Sequence, residues 1–287
     1  MYKKLTLIII LILSFGIVSC SSKKSFKMTP NINSDYDLVD LINYATKSGN
    51  LEAIKYVVEK DKYVVEEDRR FKDRLVSSVI LPKAAYYGHL EIVKYLVENG
   101  ADINAKDYEE FTSLIRASIN GHLEVVKYLV EKGANINAKN NDGNTALMFA
   151  SNNGHLEVVK YLVEKGANIN AKNNDGNTAL MFTSNNGHLE VVKYLVENGA
   201  NINDKNEALM GASISGHLEV VKYLVENGAD INTKDYIGRT PLIYASMLGN
   251  FELVKYLIGK GADVNIKYKG RKASDYAKNH VKDLFKK

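Results

Sequence analysis

Between residues 140 and 170 the apolar positions fall into two short helical sets parted by glycine. Leu147, Ala150 and Ser151 stand at i, i+3 and i+4, the spacing of one face of a short helix lined with small residues. Gly154 ends that run. Leu156, Val159, Leu162 and Val163 then share one face of a second helix, while Glu157, Lys160 and Glu164 point to water. Gly166 stands where a helix end takes the left-handed conformation. The Asn-Asn-Asp-Gly-Asn run of 173–177 supplies turn chemistry, with Gly176 free to adopt a positive φ.

The same pattern recurs along most of the chain. Gly-His pairs stand at Gly88-His89, Gly121-His122, Gly154-His155, Gly187-His188 and Gly216-His217, with Gly-Asn versions at Gly49-Asn50 and Gly249-Asn250. From His89 onward the steps are 33, 33, 33, 29 and 33 residues, a period of stacked helix-pair repeats rather than of one globular core. A single helix pair is too small to bury its own apolar face, so it must lean on its neighbours. Leu38, Leu41, Ile42 and Ala45, followed by Leu51, Ile54, Val57 and Val58, form a first pair suited to an N-terminal cap. Gly49 and Gly88 are 39 residues apart, which places six extra residues around the charged stretch Glu66 to Arg74, a loop on one face. Four residues are missing between Gly187 and Gly216, where Asn206-Glu207 replaces the full turn, so a blunted hairpin is expected there. The end repeat, Lys269 to Ala277, is expected to run into a polar helix over Lys278 to Lys287, the kind of outer face a terminal cap needs.

The unit resembles the ankyrin repeat in its Asp/Asn-x-x-Gly-x-Thr-Pro-Leu turn, its Gly-His-Leu-Glu-Val-Val helix start and its Gly-Ala-Asn/Asp-Ile-Asn ending. Gly238-Arg239-Thr240-Pro241-Leu242 matches it best, with Pro241 where a first helical residue tolerates a missing N–H. Ser113, Ala146 and Ala179 take the place of that proline, and Ile115, Met148, Met181 and Ile243 that of the family's histidine, which weakens a local hydrogen-bond network and leaves the packing pattern whole. The resemblance extends over roughly residues 35 to 280. It implies an all-α ankyrin-repeat solenoid over 35–287, with stacked helix-turn-helix pairs, hairpin-like loops and about seven to eight repeats including caps.

Residues 1–19 have a different character. Lys3 and Lys4 precede an apolar run from Leu5 to Val18, short of the roughly 20 residues that span a bilayer, which reads as a secretory signal. Ile17-Val18-Ser19-Cys20 resembles the lipobox of bacterial lipoproteins, which implies cleavage before Cys20, a diacylglyceryl thioether on its sulfur, and outer-membrane sorting from Ser21 where the host has such a membrane. Residues 20–34 have no periodicity and read as a tether. Cys20 is the only cysteine, so an exported fold here has no internal disulfide and depends on stacking.

Without Lys3 and Lys4, 36 basic side chains face 34 acidic ones, too even a balance for nucleic acid or an anionic bilayer as the partner. The evenly spaced histidines invite a metal reading, but neighbouring helices pack about 8–10 Å apart, whereas ligands of one zinc ion bring their nitrogens within about 4 Å. Asn50 and Asn250 fill the same slot, which points to hydrogen bonds with turn backbone. Tyr95, Tyr128, Tyr161, Tyr194, Tyr223 and Tyr256 recur once per second helix and are expected as an outer ladder with hydroxyls in water. No catalytic triad order, phosphate-cradling Gly-x-x-x-x-Gly-Lys or paired carboxylate pocket stands out, and no enzyme or cofactor is expected.

What remains is the concave side. Phe149 is two residues past Leu147, rotated about 200° from the core face, so it should look over the groove. The matching row is Lys83, Arg116, Phe149, Phe182, Gly211 and Tyr244. Ankyrin-type binders use such a row with the hairpin tips, here Tyr108, Glu109 and Phe111; Asp142 and Asn144; Asp175 and Asn177; and Tyr236, Ile237 and Arg239. Aromatics and arginine are the residues that anchor interfaces. The expectation is a monomeric lipid-anchored protein, facing the periplasm or cell surface, that binds a protein partner through this face. An immunity-type inhibitor of a toxin or enzyme and a purely structural envelope protein are the alternatives.

Overall fold

The computed structural model describes residues 35–59 and 73–286. The expected leader of 1–19, Cys20, the tether of 20–34 and the charged residues Glu66 to Lys72 lie outside the described residues. Helix pairs follow one another at the period read from the sequence. They are α1 (Asp35–Ser48) with α2 (Leu51–Glu59), α3 (Leu81–Tyr87) with α4 (Leu90–Glu98), α5 (Ser113–Ile119) with α6 (Leu123–Glu131), and α7 (Ala146–Asn152) with α8 (Leu156–Glu164). Then come α9 (Ala179–Asn185) with α10 (Leu189–Glu197), α11 (Ile202–Ser215) with α12 (Leu218–Glu226), and α13 (Pro241–Leu248) with α14 (Phe251–Gly259).

The chain divides into two compact units, one ending at Ala117 and including Glu124–Asn135, the other made of Ser118–Leu123 and the chain from Ile136 onward. In the first unit α1 packs on α3 and α2 on α4, burying Leu41, Ile42, Ala45, Ile54 and Val57. A π-helical turn, Val76–Ile80, leads directly into α3. Pro82 explains it: its ring has no N–H to give and clashes with the carbonyl four residues back, so the helix widens there, and the Leu81 N–H donates to the Val76 carbonyl instead.

In the second unit the first helices α7, α9, α11 and α13 pack in succession, and the second helices α8, α10, α12 and α14 do the same. Leu147, Ala150 and Ser151 are fully buried, as their spacing requires. In α8 the buried arc runs through Val158, Leu162 and Val159, while Leu156 and Val163 lie half-buried at its edge. The expected face was therefore turned too far toward Leu156. Each second helix is covered both by its own partner and by the helix of the next repeat, which draws the arc toward Val158. Fully burying one such aliphatic side chain contributes about 1.5–3 kcal/mol. Only contact with adjacent repeats makes that burial complete.

Two local expectations are corrected. No hairpin of any length precedes α11: the helix starts at Ile202 and runs 14 residues to Ser215. The missing residues carried the turn glycine, and what is left holds no helix breaker, while the Asn201 side chain caps the new start by accepting from the Asn203 N–H at 3.0 Å. At the end of the chain, the polar helix expected over Lys278 to Lys287 is instead α16 (Asn279–Lys282) and a 3-10 turn, Asp283–Phe285. It follows a small antiparallel hairpin of β1 (Lys267–Tyr268) and β2 (Arg271–Lys272) and the short α15 (Ala273–Tyr276). Val281 alone is buried in α16, so no continuous apolar stripe exists to extend it.

Candidate functional site

The histidines form a seam between repeats. In the second unit the Nε2 of His155 lies 2.9 Å from the Ile119 carbonyl, that of His188 2.9 Å from Asn152, and that of His217 3.1 Å from Asn185. In the first unit His89 meets the Lys47 carbonyl in the same way, at 3.1 Å. A carbonyl only accepts, so each ring donates from Nε2. The imidazole also lies flat against a glycine of the preceding repeat. A Cβ on Gly154 would stand 2.6 Å from His188 Nδ1, and Gly49, Gly121 and Gly187 face His89, His155 and His217 equally closely. The Gly-His pair is thus one half of a joint whose other half is in the next repeat. His280 completes it for the end repeat by meeting the Gly249 carbonyl at 3.0 Å, though no Gly-His pair marks it in the sequence. Where asparagine fills the slot it caps its own helix, Asn50 accepting from the Ala53 N–H and Asn250 from the Leu253 N–H, while Asn250 Nδ2 still reaches the Gly216 carbonyl of the preceding repeat at 3.5 Å.

Each hairpin is organised by one acidic or amide side chain at its start. Asp107 Oδ1 accepts from the Glu109 and Phe111 N–H groups, Asn140 Oδ1 from Asp142 and Asn144, Asn173 Oδ1 from Asp175 and Asn177, and Asp235 Oδ1 from Ile237 and Arg239, all at 2.8–3.1 Å. Residues 109, 142, 175 and 237 are held with their side chains outward by this ring of bonds. The hairpin of 140–144 is tied to that of 173–177 by the Asn174 N–H on the Asp142 carbonyl, Asn174 Nδ2 on the Asn141 carbonyl and Asn173 Nδ2 on Asn144 Oδ1, at 2.8–2.9 Å.

The candidate residues are placed differently in the two units. In the first, Arg116 is drawn into its own hairpin: Nε donates to Asp107 Oδ2 at 2.7 Å, a terminal nitrogen donates to Glu109 Oε2 at 2.8 Å, and the guanidinium lies 4.3 Å from the centre of the Phe111 ring. Burial opposes its charge, but Asp107 and Glu109 outweigh that and raise its pKa. Tyr108 is 53% exposed, and its hydroxyl is pushed up to about 12 by its hydrogen bond to Glu109, which lowers the Glu109 carboxyl in return. Lys83 donates to Asn43 Oδ1 and is lowered by burial.

In the second unit Phe149, Phe182 and Tyr244 are half-buried on the first helices, with Gly211 in the same row. Asp142 and Asp175 are exposed at their tips, and Asn144 and Asn177 half-buried beside them. Arg239 is held between two rings, 5.2 Å from Tyr244 and 4.8 Å from Tyr268, and donates to both hydroxyls at 3.2 Å. Tyr244 in turn donates to Asp235 Oδ2 at 2.8 Å. The Asp235 carboxyl is lowered: its partial burial works against this, and the Arg239 N–H and Tyr244 hydroxyl prevail. That cluster braces a tip on which Tyr236 is 98% exposed and Ile237 39%.

The family model for ankyrin repeats in three copies matches six overlapping spans, 17–107, 42–140, 81–173, 114–206, 166–235 and 204–268. The chain belongs to the ankyrin-repeat family. Among solved structures, it is similar to the ankyrin repeat domain of human ASB11, at 28% identity over 71% of this chain and 95% of that one, with a TM-score of 0.66. It is also similar to the ankyrin repeat domain of Bcl-3, a member of the IkappaB protein family, at 29% identity over 72% of this chain and 97% of that one, with a TM-score of 0.63. No curated protein matched the chain. Ankyrin repeats in general mediate binding between proteins.

Two departures from the ankyrin pattern have a visible outcome. Where Met148 stands in place of histidine, its Sδ accepts from the Thr145 N–H at 3.4 Å while Thr145 Oγ1 accepts from the Met148 N–H, a weak form of the reciprocal cap. Thr240 caps α13 through the Ile243 N–H at 3.3 Å, whereas Thr178 Oγ1 is buried without a partner. The tyrosine ladder differs from expectation in its hydroxyls. Tyr95 donates to Glu59 at 3.0 Å, and Tyr128, Tyr194 and Tyr256 reach Glu98, the Lys160 carbonyl and the Lys222 carbonyl at 3.4–3.5 Å. Each leans on the second helix of the preceding repeat instead of standing free in water, because the stack brings that helix within reach of the ring's far end.

Proposed function

We propose that this chain is a lipid-anchored ankyrin-repeat protein that binds a protein partner through the first-helix row and hairpin tips of its second unit. The observation that carries this is Tyr236, a tyrosine 98% exposed on a hairpin held by Asp235 and backed by the Tyr244–Arg239–Tyr268 cluster. A large ring left in water on a rigid tip loses little freedom on association and brings most of its area to the contact. Phe149, Phe182, Asp142 and Asp175 lie on the same set of elements, so apolar and acidic groups are offered together. Arg116, already neutralised by Asp107 and Glu109, serves to stiffen its own hairpin. The lipobox-like Ile17-Val18-Ser19-Cys20 supports the anchored half of the reading, with the tether of 20–34 holding the repeats away from the membrane on the periplasmic face or cell surface.

Photoreactive residues placed at Phe149 and Tyr236 in intact cells should crosslink one protein that the same group at Tyr161 does not. Equal crosslinking from all three positions would remove the assignment of the binding face. Metabolic labelling with a fatty-acid probe should mark the protein and be lost in Cys20→Ser. A mature product that retains residues 1–19 and carries no acyl chain would remove the anchor.

A further inference from the structure

The deleted hairpin leaves a notch. The hairpin of 140–144 is bonded to that of 173–177, but 173–177 has no successor because α11 begins directly at Ile202. An open cavity of about 490 Å³ results, lined by Phe182, Met181, Asn185, Gly211, Asp175 and Glu207. Gly211 contributes no side chain, so nothing from the row fills it. Lys172 stands at its rim with its ammonium 3.3 Å from Asp204 Oδ1. The carboxylates of Asp175 and Glu207 have no ion-pair or hydrogen-bond partner among the described residues.

An arginine fills a related place earlier in the chain. Asp175 is two 33-residue periods after Glu109, and Phe182 the same distance after Arg116. At the earlier site an arginine from the row lies on an aromatic ring and forks between two carboxylates. At the later site the ring is Phe182 itself, in the arginine's position; Asp175 keeps the place of Glu109, Glu207 adds a second carboxylate, and Asn177 and Asn173 stand where Phe111 and Asp107 do, while Lys172 on the lining is paired with Asp204. A planar guanidinium suits this combination better than an ammonium, because it stacks on a ring face while its N–H groups meet carboxylate oxygens.

We infer that the notch is a receptor for an arginine side chain presented by an extended segment of the partner protein. This rests on the proposed protein-binding role and specifies the residue recognised. The guanidinium lies over Phe182 with Asp175 and Glu207 on its edge, and its methylene stem runs along Met181 across the space left open at Gly211.

The test uses the full chain in detergent micelles, labelled for amide NMR and titrated with N-acetyl-arginine N-methylamide or with the citrulline analogue, which has the same shape and no charge. The expected result is a saturable shift at the amides of Phe182, Glu207 and Gly211, with a millimolar midpoint that is about five-fold or more weaker for citrulline. The exposed pair Asp175→Asn and Glu207→Gln should weaken arginine binding by a similar factor, and an unchanged circular dichroism spectrum excludes unfolding as the cause. Equal responses to both probes, shifts only elsewhere, or no saturation by roughly 50 mM overturn the inference. If Phe149 still crosslinks its partner in that event, only the arginine assignment falls; if that crosslink is absent too, the binding role falls with it.

Discussion

Replacing Gly154 with alanine tests whether the glycine-histidine joint holds neighbouring repeats together. Gly154 has φ +73°, and an added Cβ would lie 2.6, 2.8 and 2.9 Å from His188 Nδ1, Cε1 and Cγ. The backbone part is strain in the left-handed region, about 1–2 kcal/mol, offset by about 0.4–1 kcal/mol from the stiffer unfolded chain. Gly166, with φ +92° and nothing within 4 Å of its would-be Cβ, measures that part alone. At Gly154 the ring must also retreat, which breaks the Nε2–H bond to the Asn152 carbonyl at 2.9 Å. Losing that bond and the close packing adds roughly 1–3 kcal/mol. Gly154→Ala should therefore destabilise by about 2–4 kcal/mol and Gly166→Ala by about 1 kcal/mol. Urea unfolding of the chain from Asp35 onward, followed by circular dichroism, compares the two. In a His188→Ala background the cost of Gly154→Ala should fall to the Gly166 value, a coupling of about 1–3 kcal/mol. Equal costs at the two glycines, or no relief on removing His188, would refute the joint.

Three further outcomes are expected. Thr240→Val should cost about 1 kcal/mol through the lost helix cap, while Thr178→Val should be neutral or mildly stabilising, because the Thr178 hydroxyl is buried with no partner; thermal melts of the two variants decide it. The Tyr95 hydroxyl, raised to about 12 first by burial and then by its bond to Glu59, gives stability that is complete below its unfolded pKa of about 10 and lost as pH rises through 12. Ring-labelled tyrosine NMR should show Glu59→Gln lowering that titration while leaving it above 10, and an unshifted titration would exclude Glu59 as a cause. Glu110 holds φ +64° at a turn position where the repeats 33 residues on and later have glycine, so Glu110→Gly should raise stability by about 0.5 kcal/mol despite losing the exposed pair with Lys106. A measured loss in urea midpoint would show that the strain is not there.

The residues that declared the helices did so through contacts three and four positions apart. Leu147, Ala150 and Leu162 are buried because a helix of either length would place them on one side, whatever it packs against. Turns were legible for the same reason at Gly176, whose φ is +81°. The blunted hairpin expected at Asn206-Glu207 fails because a loop was inferred from lost turn residues, whereas α9 and α13 on either side offer a helix there two packing surfaces. Arg116 was legible as a row position but not as a closed ion pair, since its direction follows from where the hairpin carries Asp107 and Glu109. The notch at Phe182 was hidden likewise, because it is made by what the following repeat lacks.

By itself the sequence determined the period, the two helices of each unit and the family, all properties of short windows repeated in register. Tertiary structure alone decided which donor meets which acceptor: His188 with Asn152, Tyr95 with Glu59, His280 with Gly249. Those partners are 31 to 36 residues apart in the chain, and no local spacing encodes the translation that brings one repeat against the next.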